Sequence, residues 1–340
     1  MRTFTWIAST AAALASTCIP ALAAAQSVES FYNGKTVTLV IGSGVAGGTD
    51  AWARTLAKHI GRHIPGNPPV VPVNMPGAGG LKMTNYIYNA APKDGTSFGN
   101  PNGGILLEPL LGGQGANFDA TKLSWIGSPD RDTTVCVARR DAEVQSVDDL
   151  RTKELIVGST GSGGNTHLYP TFFANMFGMK IKVIQGYKGT SDILLAVERG
   201  EVMGMCSSHD PLTQQPAYKA GKLRILFQAT LTPDKAIDAP VPTSFITNEI
   251  QRQALEFVVA REDIGRPFFA PPNIPQDRLD ALRRAFDATM KDPGFLADAK
   301  KQNFNIVAST GEQLSDIIAR IFKTSPDVIR IAAEALGHGK

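Results

Sequence analysis

Cysteine, long apolar runs and charge of one sign are all scarce in this sequence. Its three cysteines, Cys18, Cys136 and Cys206, have no CxxC spacing and supply too few ligands for a structural zinc site. Lysine and arginine number 34 against 31 aspartates and glutamates, without a clustered basic tract, which argues against nucleic acid as a partner. After residue 25 nothing resembles the ~20 apolar residues of a membrane helix. The early apolar run from Trp6 to Leu22 is diluted by Ser9, Thr10, Ser16, Thr17 and Pro20, and it ends at Ala23-Ala24-Ala25. With Arg2 ahead of it, this is the layout of a cleavable secretory leader over 1–25, and the residues before Cys18 lack the pattern that lipid attachment requires. A soluble, exported, periplasmic protein is expected.

The remaining chain of roughly 315 residues exceeds the ~250–300 at which one hydrophobic core stops growing, so two domains are expected. An oxidising compartment permits Cys136 and Cys206 to pair. Spacing alone leaves a disulfide and two buried thiols equally open.

What is present is strand and helix in alternation. Residues 37–41 form a continuous β-branched run ending in glycine, the mark of a buried parallel strand. A helix follows, capped by Thr49 or Asp50, with Ala53, Leu56, Ala57 and Ile60 on one face and Asp50 four residues before Arg54. Strands at 70–73 and 97–99 with a helix at 81–89 extend an open parallel sheet. Beyond Trp125 the pattern restarts, with strands at 134–138, 155–158, 182–184, 202–206 and 223–228 and helices between them. Residues 256–260 read as a strand returning to the first unit, and four helices close the chain from residue 275. The expected division is 26–132 plus 261–340 for one domain and 133–260 for the other.

Two glycine-rich loops each join a strand to a helix. The first contains Gly42-x-Gly44-x-x-Gly47, the spacing of a dinucleotide fingerprint. The acidic residue expected about 20 positions later is absent, since Val73 and Asn74 stand there. A nucleotide-dependent oxidoreductase is therefore disfavoured, and no cofactor is expected. The same geometry gives a simpler use, in which backbone N–H groups at a helix N-terminus cradle an anion. The second loop, residues 158–166, repeats the arrangement in the other domain and adds Ser162, Asn165 and Thr166 as side-chain donors. Taken singly, either loop could merely relieve a tight turn. Together they suggest a cleft between two domains.

Eight separated motifs then carry a resemblance over essentially the whole mature length: AGGTDAWAR, VNMPGAGG, APKDGTSFG, GSGGNTHL, GYKGTSDILLAVERGEV, AGKLRIL, VPT at 241–243 and APPNIPQDRLDAL. The chain resembles the Bug family of periplasmic receptors, the solute-binding components of tripartite tricarboxylate transporters. The resemblance implies an α/β, type II periplasmic-binding fold with two domains joined by crossing hinge strands. It also implies a small organic acid in the cleft, transient docking on membrane transporter subunits, a monomer, and no catalysis. Carried over by position, the first loop gives Gly44, Gly47, Gly48, Thr49 and Asp50, and the second gives Gly161, Ser162, Gly163, Asn165 and Thr166. Tyr187, Asn102 and Asp210 are further candidates for the cleft wall. An extracytoplasmic sensor handing occupancy to a signalling protein is the alternative. The first loop departs from the commoner proline-containing form, and the usual tryptophan near the C-terminus is missing, as in a less-studied subgroup.

Other constellations read as bland. His59 and His63 lie one helical turn apart without a carboxylate between them, so a solvated helix end is expected there. Ser162 sits in no G-x-S-x-G elbow with a base placed to activate it. Arg131, Arg139 and Arg140 flank the proposed crossing strand and read as surface arginines.

Overall fold

A computed structural model describes residues 27–45, 48–101, 103–113, 115–131, 133–161 and 164–337. The leader expected over 1–25 lies outside them. The first unit runs α1 (Val28–Tyr32), β1 (Val37–Ile41), α2 (Gly48–Ile60), β2 (Val70–Asn74), α3 (Leu81–Asn89), β3 (Ser97–Asn100) and β4 (Ser124–Ser128). The second runs β5 (Thr134–Arg139), β6 (Leu155–Ser159), α4 (Asn165–Phe177), β7 (Ile181–Gln185), α5 (Thr190–Arg199), β8 (Gly204–Ser208), α6 (His209–Thr213), α7 (Pro216–Lys219) and β9 (Leu223–Gln228). The chain then returns through α8 (Glu249–Ile264), β10 (Phe268–Ala270), α9 (Gln276–Thr289), α10 (Pro293–Lys301), β11 (Ser309–Thr310), α11 (Gly311–Ile321) and α12 (Pro326–Ala335).

Two sheets result. The first has the order β11-β4-β10-β3-β1-β2, with β1 parallel to both β2 and β3, and β10 antiparallel to β3 and β4. The second has the order β7-β6-β8-β5-β9, with β6 parallel to its neighbours and β5 antiparallel to β8 and β9. Interior strand β1 is buried at every position but Thr38, whereas edge strand β2 alternates and leaves Val71 and Val73 half exposed. The chain leaves the first sheet where β4 continues through 129–133 into β5. It comes back from α8 into β10 across Gly265, Arg266 and Pro267.

One strand expectation fails. Residues 256–260 lie inside the 16-residue helix α8, capped at its start by Asn248, whose side chain accepts from Gln251 N–H. The run Phe257, Val258, Val259 and Ala260 is apolar throughout, with two β-branched valines at its centre. Over the whole segment, however, Ala254, Leu255, Phe257, Val258, Arg261 and Glu262 repeat at helical spacing and are buried, and that longer period prevails. Packing of α8 against α12, and of α12 against α4, sets both helices beside the second sheet, with Asn175 Nδ2 donating to Ala335 O at 2.8 Å.

Cys136 and Cys206 are directly paired in the β5–β8 register and joined by a disulfide. Their separation of 70 residues makes the cross-link worth about 4 kcal/mol in the chain-entropy picture. Replacing both by serine is expected to lower the melting temperature by roughly 8–16 °C, at about 2–4 °C per kcal/mol for a domain of this size. Thermal scans of the variant and of oxidised and reduced wild type check it, and superimposable curves would mean the bond stabilises nothing.

His59 in the last turn of α2 and His63 in the turn just after it are not a solvated end. His59 is only 4% exposed, because α10 packs over it. Its Nε2 lies 2.9 Å from Asp298 Oδ2, and Arg62 Nη2 donates to its Nδ1 at 2.8 Å. His63 Nε2 lies 2.9 Å from Asp292 Oδ2, while Asp292 Oδ1 caps α10 by accepting from Gly294 and Phe295 N–H. Backbone donation from Phe295, then His63 and Gly294, hold the Asp292 carboxyl down at about 2. Lys58 first, then His59, push Asp298 below the usual carboxylate range. Both carboxyls have depressed folded values, so their stabilisation is present above the unfolded value of about 4 and is lost as pH falls below it, for Asp292 through about 2. Melting temperature is expected to drop over that interval, and D292N/D298N should flatten the drop. An equally steep acid limb in the double variant would remove these carboxylates from the account.

Candidate functional site

Between the two sheets lies a cleft enclosing about 200 Å³. One wall comes from the first unit, with Gly48 and Thr49 in the first turn of α2 and Gly103 and Gly104 just after β3. The other comes from the second unit, with Thr160, Gly164, Asn165 and Thr166 around the start of α4, Thr190 at the start of α5, and Ser207 and Ser208 at the end of β8. Arg261 and Glu262 in the last turn of α8, with Gly265 and Arg266 after it, form the floor. Each wall lies at the carboxyl ends of parallel strands, where an open α/β sheet places ligands, and three helices point their N-termini inward. The walls come close at the rim, since a methyl group on Gly48 would sit 3.9 Å from Pro211 Cγ.

The expected residues divide into three sets. Gly48, Thr49, Asn165 and Thr166 line the cleft. Gly47, Asn102, Ser162 and Gly163 lie outside the described residues. The others are placed beside the cleft. Gly44 is exposed on the first loop. Gly161 precedes α4 and its N–H donates to Ser159 Oγ at 3.1 Å. Asp210 is half-buried, and its Oδ1 lies 3.4 Å from His209 Nδ1. The Tyr187 ring packs against Gly158 and the apolar cluster behind the second loop. Asp50 is a strut, since both its oxygens accept from Arg54 Nε and Oδ1 also accepts from Asn74 Nδ2 at 2.7 Å. Asn74 Nδ2 donates in turn to Ser43 O at 2.9 Å, so this buried network fixes the loop that leads into α2.

Sequence reading missed the charged floor. The Arg261 side chain belongs to a residue 4% exposed, and its Nη2 donates to Asn165 Oδ1 at 2.8 Å. Asn165 Nδ2 donates to Thr134 Oγ1 at 2.7 Å, and Thr134 donates to Glu262 Oε1 at 3.1 Å. The Tyr169 hydroxyl donates to the same Glu262 oxygen. Donors and acceptors alternate without conflict along this chain, so it fixes the Arg261 guanidinium from behind. The Nη1 of Arg261, although buried, has no hydrogen-bond partner among the described residues. A buried cation with a vacant donor is costly unless an anion completes it. The legible signal is two charged residues on the buried stripe of a helical period, which a strand ending at 260 does not contain. Asn165, expected to touch ligand, lines the cleft and also supports Arg261 from behind.

Arg266 is charge-matched. It forms a buried ion pair with Asp130, and its N–H donates to Ser128 Oγ at 3.1 Å. This pair ties together the two segments that cross between the sheets. Gly265 makes the approach possible, since it lies at φ 60° and a Cβ there would be 2.1 Å from Asp130 O.

Two α/β units, two crossings and a polar cleft at strand carboxyl ends define a two-lobed binding protein. The tripartite tricarboxylate transporter family receptor model, TctC, matches residues 52–333, and the chain belongs to this family of periplasmic solute-binding receptors. Solved structures agree on the fold. The periplasmic binding protein BugD is 20% identical with a TM-score of 0.65, over 89% of this chain and 98% of that one. MatC of Rhodopseudomonas palustris, solved with malate, is 18% identical with a TM-score of 0.65, over 86% and 98%. R. palustris Rpa4515, solved with adipate, is 20% identical with a TM-score of 0.66, over 87% and 97%. No curated protein matches the sequence. Among the described residues no helix is long and apolar enough to cross a membrane.

Proposed function

We propose that this protein captures a small organic carboxylate in the cleft between its two sheets and delivers it to the membrane subunits of a tripartite tricarboxylate-type transporter. The observation that carries the reading is Arg261, a buried guanidinium whose Nη1 is unfilled in a cleft where the N-termini of α2, α4 and α5 converge. Malate and adipate in the two R. palustris relatives are carboxylates, in keeping with it. The two lobes meet at the crossings, and the second boundary falls after Ile264 rather than at the expected 260–261, because α8 runs unbroken across that point, with α12 lying across the boundary. The lobes bend at 129–133 and 265–267, and the Asp130–Arg266 pair keeps the two crossings in step. Export through a cleaved leader, a monomeric receptor and release without chemical change complete the proposal. Gly47, Asn102, Ser162 and Gly163, which lie outside the described residues, are proposed as further ligand contacts.

Isothermal titration of the dialysed mature protein with mono-, di- and tricarboxylates and aromatic acids tests it. Saturable binding of at least one class is expected, and uniform failure across the panel would overturn the proposal.

A further inference from the structure

We infer that the guest is a polyhydroxylated acid, a short-chain carboxylate bearing two or more hydroxyls, taken in preference to unsubstituted aliphatic and aromatic acids. The inference rests on the carboxylate reading above and concerns the same cleft.

Apart from the charged Arg261, Glu262 and Arg266, the described lining is polar almost throughout. Six of its side chains carry hydroxyls, Thr49, Thr160, Thr166, Thr190, Ser207 and Ser208, and five further positions are glycines that bring backbone to the surface. Pro211 is the one apolar residue there besides glycine. No aromatic ring, branched aliphatic side chain or methionine is among these residues, and by sequence the internal positions outside the described residues add none.

The hydroxyls differ in what they already hold. The Oγ1 atoms of Thr160 and Thr166 lie 2.9 Å apart and Thr160 N–H donates to Thr166 Oγ1 at 3.0 Å, so this pair closes the second loop on itself. Thr49 in the first turn of α2, Thr190 at the start of α5 and Ser207 on β8 have no hydrogen-bond partner for their hydroxyls among the described residues. Ser207 is only 7% exposed, and it faces the cleft. Thr49 belongs to one wall, Thr190 and Ser207 to the other, so hydroxyls are offered to the guest from both sides.

An aliphatic or aromatic guest would meet almost no apolar surface and so forfeit the gain that burial normally brings. No ring is present for a benzoate to stack on. Such a guest would also dehydrate the wall hydroxyls without replacing their hydrogen bonds. A guest hydroxyl both donates and accepts, as water does, and takes the displaced water's place. A site built to bind a hydroxyl rejects the analogue that lacks it. Size does not decide, since about 200 Å³, the volume of about seven waters at ~30 Å³ each, admits a short polyol acid and a benzoate alike.

Calorimetric titration of the dialysed protein with two chain-matched series tests this: butyrate, 3-hydroxybutyrate and threonate, then succinate, malate and tartrate, each chiral acid in both enantiomers, with benzoate alongside. In whichever series binds, threonate or tartrate should bind at least ~10-fold more tightly than its unsubstituted parent, and benzoate more weakly than either. In T49V/T190V, which removes a hydroxyl from each wall at nearly constant volume, that gap should narrow at least ~10-fold. A parent acid or benzoate binding as tightly as the hydroxylated acids would overturn the inference and leave carboxylate capture standing. An unchanged gap in a double variant that melts like the wild type would do the same, and the wild-type series decides alone if the variant does not fold. Failure of the hydroxylated acids while another acid of the wider panel binds overturns this inference only, and failure of every acid overturns both.

Discussion

Replacing Arg261 by methionine should weaken ligand binding roughly 30- to 3,000-fold, because truncating a buried, hydrogen-bonded charge partner costs about 2–5 kcal/mol. The ligand-free protein should behave oppositely. Its guanidinium is buried with no partner for Nη1 among the described residues, so an apolar side chain of similar length removes a desolvated cation while giving up the Asn165 hydrogen bond and the contact with the Tyr169 ring, and melting temperature should change by only a few degrees. Titration calorimetry and thermal melts with and without ligand separate the two effects. A second variant probes the position of the guanidinium without removing it. A Cβ at Gly104 would lie 2.2 Å from Arg261 Nη2 and 2.8 Å from Nη1, so Gly104→Ala must displace the flexible end of that side chain. Affinity should fall at least ~10-fold, since loss of one charge-assisted hydrogen bond is worth about 1.5–3 kcal/mol. Unaltered affinity in both variants would place the ligand elsewhere.

Asp130→Ala should be the most destabilising single change near the cleft. It strands Arg266, only 11% exposed, without its counter-ion. Breaking such a pair from one side typically costs about 3–5 kcal/mol. At ~2–4 °C per kcal/mol this lowers the melting temperature by roughly 6–20 °C. Removing both charges in D130A/R266M should recover a substantial part of the loss, because no uncompensated ion remains. Additive losses in the double variant would mean the two residues stabilise the crossings independently rather than as a pair.

Much of the fold was readable because its signals are local. The β-branched run at Val37–Ile41, the stripe on α2 and the glycines that end each strand all follow from short-range spacing. Asp50 to Arg54 was likewise readable, and the ion pair forms at 2.9 Å. Helix α8 was not, because its four consecutive apolar residues at 257–260 mimic a strand until the window is widened to 16 residues. That single misreading concealed the charged floor of the cleft, since Arg261 and Glu262 acquire meaning only when placed on the buried helical face. Asn165 shows the complementary limit. Its position in a glycine-rich loop suggested a ligand donor, yet its role depends on Arg261 and Thr134, 96 and 31 residues away. Contacts of that range leave no trace in local pattern. Thr190 and Ser207 reach the cleft for the same reason, through the order of strands in the second sheet rather than through any motif.

The most direct measurement is a crystal structure of the protein with the best-binding acid from the titration panel. The account predicts a carboxylate oxygen within ~2.7–3.2 Å of Arg261 Nη1, its partner oxygen facing the first turns of α2 and α4, with the two sheets drawn together around it. An acid lodged outside this cleft, or inside it with Arg261 facing the apolar end of the molecule, would contradict the account.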